Sequence, residues 1–334
     1  MLPALPAQFD EYRATRSSSV HHVAEDVWSI GLPLHLPDSA IVASTLCYIL
    51  RDTDGIGHLI DPGDGHPANA ARLESALGTA GIDRVGSVLL THLHPDHAGS
   101  AMRLRSRYAA DIVVGVNELA ATEALRNRPA LLAEMAGWGV PLSLREEIAN
   151  AALDEWNVDV CASILLDAGD TFTVPGHTLR VLDTAGHTAG HICFLDEARS
   201  IIYTGDHVLP DVWPGFGFAG FGAANSLRVY LASLERVRDF DDFLVAPGHG
   251  FVYHGLDERA SAIRAHHLKR ARTVQELNID ESASVWAVAV GLRWRAGGWD
   301  ELPPVLQIAA LSQVANHRRF IREGYPLEDS PPTL

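Results

Sequence analysis

The apolar positions of this chain fall first into short runs of strand length and later into helical spacings. Val27-Trp28-Ser29-Ile30, Thr45 to Leu50 and His58 to Asp61 read as strands, the last ending in the turn signal Asp61-Pro62-Gly63-Asp64-Gly65. Pro67 opens a helix that carries Leu73 and Leu77 and stops at Gly81. Val85 to Leu90 is a near-continuous apolar run, the mark of a buried strand; a helix from Ala101 to Tyr108 and a strand from Asp111 to Val114 follow. Residues 117 to 160 form a long, mainly helical block with Leu131, Met135, Trp138, Ile148 and Trp156, either a core-facing helical pair or a cap over a pocket. Strands resume at Thr171 to Val174 and Thr178 to Leu182. His191 to Leu195 and Ser200 to Thr204 make a hairpin, then come a helix from Ser226 to Val237 and a strand from Phe243 to Ala246.

This texture divides the chain into three parts. Residues 1–25 show no period and read as a polar amino-terminal arm, with Ser17-Ser18-Ser19 and the pair His21-His22 at the surface or in a loop. Residues 26–254 form the main domain of mixed strands and helices, with the helical insertion near 117–160. Residues 255–334 form a small helical appendage, with helices expected over Arg259–Leu277, Ala283–Leu292 and Val305–Arg322.

Composition narrows the function classes. The 334 residues are 47% hydrophobic and 20% charged, an ordinary globular balance that can bury a full core. With 42 acidic against 26 basic residues the formal charge is -16, which disfavours nucleic acid as the main partner. Cys47, Cys161 and Cys193 are far apart and make no C-x-x-C pair, so neither a disulfide framework nor a thiolate zinc site is indicated. The amino terminus has no basic and apolar leader pattern, and no uncharged apolar run reaches the roughly 18 residues of a membrane span. The expectation is a cytoplasmic protein with a small-molecule substrate and no membrane partner, its oligomeric state open, with a dimer among the options.

The chemistry concentrates directly after the buried strand at Val85–Leu90. His92-Leu93-His94-Pro95-Asp96-His97 places four metal-ligating side chains in six positions, and three imidazoles with a carboxylate suit zinc. One such cluster cannot complete a two-metal hydrolytic site, which needs more ligands and one shared between the ions. Three further candidates, His187, Asp206 and His249, each stand at a strand end before a polar or Gly-rich turn. A ligand there is held by the sheet while facing a common crevice. Together the seven suffice for two metals.

At these residues the sequence resembles the metallo-β-lactamase fold superfamily over about residues 26–255. The resemblance rests on Leu59-Ile60-Asp61-Pro62-Gly63, Thr91 to His97, Gly186-His187-Thr188, Thr204-Gly205-Asp206 and Pro247-Gly248-His249-Gly250. It implies an α+β fold, a four-layer αββα sandwich with two metals at one edge. His92, His94 and His187 would hold the first zinc and Asp96, His97 and His249 the second, with Asp206 bridging; iron or manganese would suit the same donors. It also implies an orienting role for Asp61 behind a ligand imidazole and places His191 near the site. Asp96 and His207 are the expected catalytic residues. The tail resembles the winged helix of the β-lactamase-like protein 2 group.

Substrate choice must come from outside the ligands. The apolar block with Trp138 and the loop carrying Trp213, Phe216, Phe218 and Phe221 are expected to line a greasy pocket. That favours a bridging hydroxide cleaving an ester, thioester or lactone with a partly apolar acyl group. The alternatives are a single-strand ribonuclease or phosphodiesterase on the same metals, and a β-lactamase-like or glyoxalase II-like hydrolase.

Overall fold

The computed structural model describes residues 1–35, 42–155, 158–217, 225–277 and 283–328. The chain opens with β1 (Leu2–Pro3), α1 (Pro6–Thr15), β2 (His21–Ala24), β3 (Val27–Pro33), β4 (Ser44–Arg51), β5 (Gly57–Ile60) and α2 (Pro67–Thr79). Then come β6 (Val85–Leu89), α3 (Pro95–Ala98), α4 (Ala101–Tyr108), β7 (Asp111–Gly115), α5 (Val116–Leu125), α6 (Arg128–Gly137) and α7 (Leu142–Glu155). The second half holds β8 (Ile164–Leu166), β9 (Thr171–Val174), β10 (His177–Asp183), β11 (Ile192–Asp196), β12 (Ile201–Gly205), α8 (Ser226–Val237), β13 (Leu244–Pro247) and β14 (Tyr253–His254). Helices α9 (Leu256–Leu277), α10 (Val285–Gly291) and α11 (Pro304–Arg322) close it.

The fold is α+β, with two seven-stranded sheets face to face, ordered β2-β3-β4-β5-β6-β7-β8 and β1-β14-β13-β12-β11-β10-β9. Strand β4 shows why its sequence is an unbroken apolar run. Leu46, Tyr48 and Leu50 point into the core between the sheets, whereas Cys47 and Ile49 point outward under Leu73 and Leu77 of α2 and Leu104 of α4. A strand covered on both faces has no solvent side to mark with polar residues. The other sheet repeats the arrangement, with Tyr203 facing inward and Ile202 packed under α8 and α9. These layers make the αββα sandwich.

Several expectations change here. The presumed polar arm is structured: β1 pairs with β14, α1 packs Tyr12 against Phe251, and His21-His22 lie in β2, paired with β3. Its sequence period is obscured because its two strands are short and only partly covered. The block at 117–160 is three helices rather than a pair. Leu131, Met135 and Ile148 of that block share one core with Val274, Val288, Ile308 and Leu311 of the carboxyl-terminal helices. The insertion and the appendage are therefore one helical body. The three carboxyl-terminal helices lie close to their expected bounds, but among the described residues the wing of a winged helix is reduced to the isolated bridge Trp294–Gly297. Trp156, Phe218 and Phe221 lie outside the described residues.

Candidate metal centre

The site lies where strands of both sheets end. Asp61 follows β5, His92 to His97 follow β6, His187 sits in the β10–β11 turn, Asp206 follows β12 and His249 follows β13. The N–H of Leu46 donates to the Gly248 carbonyl at 2.7 Å, tying the sheets together beside the ligands. Two glycines are needed for the approach. A side chain on Gly205, at φ 47°, would meet Thr91 Oγ1 at 2.4 Å, and one on Gly248 would meet Asp206 Oδ1 at 2.6 Å.

All seven expected ligands converge. His92, His94 and His187 form one donor group, and Asp96, His97 and His249 another, the donor atoms of each lying within 4.8 Å of one another. Asp206 lies between them: its Oδ2 is 3.7 Å from His187 Nε2, while its Oδ1 is 3.4 Å from His97 Nε2 and 3.3 Å from His249 Nε2. Asp96 Oδ2 is 3.3 Å from His97 Nε2 and 3.2 Å from His249 Nε2.

The partners on the outer side of each ring fix the tautomers. His187 Nδ1 donates to the Gly215 carbonyl at 2.8 Å, His249 Nδ1 to the Ser44 carbonyl at 2.8 Å, and His97 Nδ1 to Asp61 Oδ2 at 2.9 Å. Thr91 spends its hydroxyl proton on Asp61 at 2.7 Å, so its Oγ1 accepts from His92 Nδ1 at 3.0 Å. In His92 and His187, held below their ordinary values by burial, this leaves Nε2 as a bare lone pair facing inward, and in His97 and His249 it turns Nε2 toward the Asp96 and Asp206 carboxylates. His97 Nε2 and His249 Nε2 are 3.3 Å apart beside two carboxylates, a place for positive charge that a metal ion would supply. The donor set therefore fits bound metal.

The electrostatics agree. Burial, helped by His187, pushes His94 down to about 3, and burial with the surrounding imidazoles holds His92 well below its ordinary value, so both stay neutral. Desolvation opposes charge at His249 too, but Asp206 and Asp96 overcome it and raise His249 to about 10. The carboxylate half of the site thus attracts positive charge, while the histidine half offers neutral nitrogen.

Around these ligands stand orienting groups. Asp61 accepts from the N–H of Thr91 at 2.9 Å as well as from His97. His191 Nδ1 faces Thr184 Oγ1 at 2.8 Å, and its Nε2 accepts from the N–H of Asp206 at 3.3 Å. Burial lowers His191 strongly, which keeps that acceptor unprotonated. Glu118, on α5, went unremarked in the sequence. It is 2% exposed and accepts from Leu93 N–H at 2.9 Å, Thr188 Oγ1 at 2.8 Å and Gly190 N–H at 3.0 Å. A glutamate in the first turn of a helix after a strand carries no pattern of its own, and only the folded chain brings its partners together.

The ligands open onto a cavity of about 540 Å³ whose other wall is Trp213, Val305, Leu306 and the turn after α10. Trp213 lines this cavity. Three expectations are corrected. Trp138 is buried in the helical core with Met135 and Val288 and lines no part of this cavity. Phe216 is fully buried against Tyr230 and His267. His207, expected to be catalytic, is fully buried with its ring against Tyr230, away from the cavity, so no substrate reaches it there.

The sequence model of the metallo-beta-lactamase superfamily matches residues 40–249. Among curated relatives, the lactamase-like protein nscB of Aspergillus fumigatus is 25% identical over 266 residues, covering 75% of this chain and 66% of that protein. The atrochrysone carboxyl ACP thioesterase of the same organism is 28% identical over 255 residues, again 75% of this chain and 66% of its own length. The lactamase-like protein aptB of Emericella nidulans is 27% identical over 224 residues, 67% of this chain and 57% of that one. The chain thus spans between 57% and 66% of the length of these relatives. Among solved structures, a metallo-beta-lactamase family protein of Thermus thermophilus superposes with a TM-score of 0.74 at 24% identity, over 90% of this chain and 95% of its own. A beta-lactamase domain protein of Burkholderia ambifaria gives 0.75 at 24% identity, over 91% and 89%. Coverage of this extent carries the likeness of fold beyond residues 40–249 into the helical body.

Proposed function

The chain belongs to the metallo-beta-lactamase superfamily, and from that premise we propose that it is a metal-dependent hydrolase that cleaves a thioester or ester, lactones included, of a small, partly apolar acyl substrate. One observation carries the reading: two donor groups, joined by Asp206, face a cavity whose opposite wall is apolar. His92, His94 and His187 would hold one ion, Asp96, His97 and His249 the other, and Asp206 would be shared. Zinc is the first choice for imidazole with carboxylate, and iron or manganese suits the same donors. Bound there, the ions would supply an activated water and a Lewis acid for the scissile carbonyl.

The chain's own residues do the rest. Trp213, Val305 and Leu306 hold the acyl group and exclude water from it. Asp96 lines the cavity beside the ligand histidines, placed to take the proton released by the attacking water and return it to the leaving sulfur or oxygen. Asp61, His191 and Glu118 keep the donors in position, so that little reorganisation is needed during the reaction. Support for a thioester comes from the relative named as an acyl carrier protein thioesterase.

The test is metal analysis of the purified chain, followed by a turnover screen over matched hexanoyl thioesters, aryl hexanoates, caprolactone and a short single-stranded RNA. The expected result is about two ions per chain and metal-dependent cleavage of the thioester or ester. Cleavage of the RNA alone would overturn the reading.

A further inference from the structure

The cavity wall opposite the metal donors is apolar but not neutral. Arg270 of α9, together with Arg293 and Arg295 in the turn after α10, lines it. Among the described residues the only carboxylates on the cavity surface are Asp96 and Asp206, both committed to the metal donors. Within the same described residues none of the three arginines forms an ion pair, unusual company for a chain with a formal charge of -16.

Two of the three, Arg270 and Arg295, are held by neutral partners. The Arg270 guanidinium lies over the Trp294 ring at 4.5 Å and donates to the Arg293 carbonyl at 3.0 Å. Trp294 and Gly297 exchange backbone hydrogen bonds of 2.8 and 3.1 Å, closing the turn that carries Arg293 and Arg295. Arg295 donates to the Asp211 carbonyl at 3.3 Å, which ties that turn to the loop leading from Asp206. A guanidinium has five N–H donors, so each anchored arginine keeps most of its donors for another partner. A nearby group senses the uncompensated charge. Burial, then Arg270, Arg259 and Lys269, push His266, on the same cavity wall, down to about 4.

We propose that Arg270, Arg293 and Arg295 form an oxyanion-binding subsite, so that the substrate carries a carboxylate or phosphate on the part of the molecule held against the helical wall. The proposal rests on the hydrolase reading for its substrate and deepens it. The planar fork of a guanidinium matches carboxylate and phosphate oxygens, and stacking on Trp294 holds one fork ready. The anion has two possible sources: a carboxylate at the far end of the acyl group, or the phosphate of a phosphopantetheine carrier. The apolar wall would take the carbon chain between the anion and the scissile carbonyl in either case.

The experiment measures binding to the metal-loaded protein by calorimetry, so it does not depend on turnover. Two matched pairs serve as probes, hexanoate with adipate and pantetheine with 4′-phosphopantetheine. Each pair shares one group able to reach the metals and differs by one anion. In the unmodified protein the member of at least one pair that carries the additional anion binds ten-fold or more tighter than its partner. In the R270Q/R293Q/R295Q variant that preference falls below two-fold, while the affinity of pantetheine, which carries no anion, stays the same and so certifies the fold. A preference confined to adipate assigns the subsite to the acyl group, and one confined to phosphopantetheine assigns it to the carrier. Equal affinities within both pairs, or a preference that survives the triple substitution, overturn the subsite. Absence of turnover on every ester and thioester, with the binding preference intact, would instead overturn the hydrolase reading alone.

Discussion

Glu118 Oε1 accepts the backbone N–H of Leu93 at 2.9 Å, gripping the one residue that separates His92 from His94. Its other oxygen holds Thr188 and Gly190, on either side of the turn that follows His187. One carboxylate thereby links the two loops that supply the three-histidine donor group. Burial raises its pKa, and the three donors work against that rise. In Glu118→Ala those donors lose their acceptor, at a cost of about 3 kcal/mol or more in stability. Metal affinity should fall roughly 10- to 100-fold, as for other orienting groups, with Glu118→Gln losing less. Urea denaturation and chelator competition measure the two effects; an Ala variant with unchanged metal affinity would show that the clamp does not position the ligands.

The two donor groups should empty independently. His187→Ala removes a nitrogen from the His92/His94 side and leaves Asp96, His97 and His249 intact. His249→Ala does the reverse. Each variant is expected to retain about one ion per chain where the unmodified protein holds two, and a chelator should lower the melting temperature of the parent most, since ligand binding to the folded state stabilises by mass action. Mass spectrometry of the intact protein under native conditions counts the ions; two ions in either variant would contradict the partition.

Asp52 closes the β4–β5 hairpin and gives stability a dependence on acid. Burial opposes its charge, but the N–H of Ile56, the ring of His58 and the N–H of Asp54 hold it below the ordinary carboxylate value. A carboxylate that ionises more readily in the fold than in the open chain stabilises the fold above its unfolded pKa of about 3.9. That contribution disappears as pH falls through the lower folded value. The stability difference between the parent and Asp52→Asn should therefore be largest near neutral pH and shrink below about pH 4. A difference that stays flat or widens on acidification would refute the assignment.

How much of this was legible in the sequence depended on how far apart the cooperating residues lie. His92, His94, Asp96 and His97 announce themselves because six positions hold four ligands. His187, Asp206 and His249 could be added because each follows a recognisable strand and precedes a turn. Alternation failed where strands are covered on both faces or only a few residues long, so β1, β2, β8 and β14 were missed. Apolar side chains without a partner in view misled about the pocket. Trp138 and Phe216 are as greasy as a pocket wall should be, yet both belong to cores, and the wall is built partly from Arg270, Trp294 and Leu306 of the appendage. Glu118 and Arg270 gain meaning only from neighbours distant in sequence.

The shared helical core makes the carboxyl-terminal region indispensable. Leu131 of α6 and Leu311 of α11 are both fully buried in it, and replacing either by Ala should cost about 2–5 kcal/mol. Ending the chain after Gly255 would uncover Leu131, Met135 and Ile148 together, along with the face of α8 that packs on α9. Exposed apolar area on that scale favours aggregation. The truncated chain is expected in the insoluble fraction on expression; a monomer that melts cooperatively would show that the sandwich stands without its appendage.

Trp213 separates binding of the acyl chain from chemistry at the metals. It is 43% exposed, yet its ring stacks on His266 at 4.4 Å and 4°, and the Arg259 guanidinium lies 4.4 Å from its centre. Arg259 is in turn anchored on the carbonyls of Leu209 and Val212. A large aromatic surface held this way offers an apolar face to the cavity at little cost in conformational freedom. In Trp213→Ala that face is lost, while Asp96 keeps His97 and His249 beside it and His249 keeps the Ser44 carbonyl. Hexanoyl substrates should lose about ten-fold in kcat/KM, equivalent to about 1.4 kcal/mol, mainly through KM. Acetyl substrates, which do not reach the wall, should change less than two-fold. A series of acyl chain lengths measured on both proteins makes the comparison, and an equal loss at every length would mean that Trp213 acts on the metal centre rather than on the acyl chain.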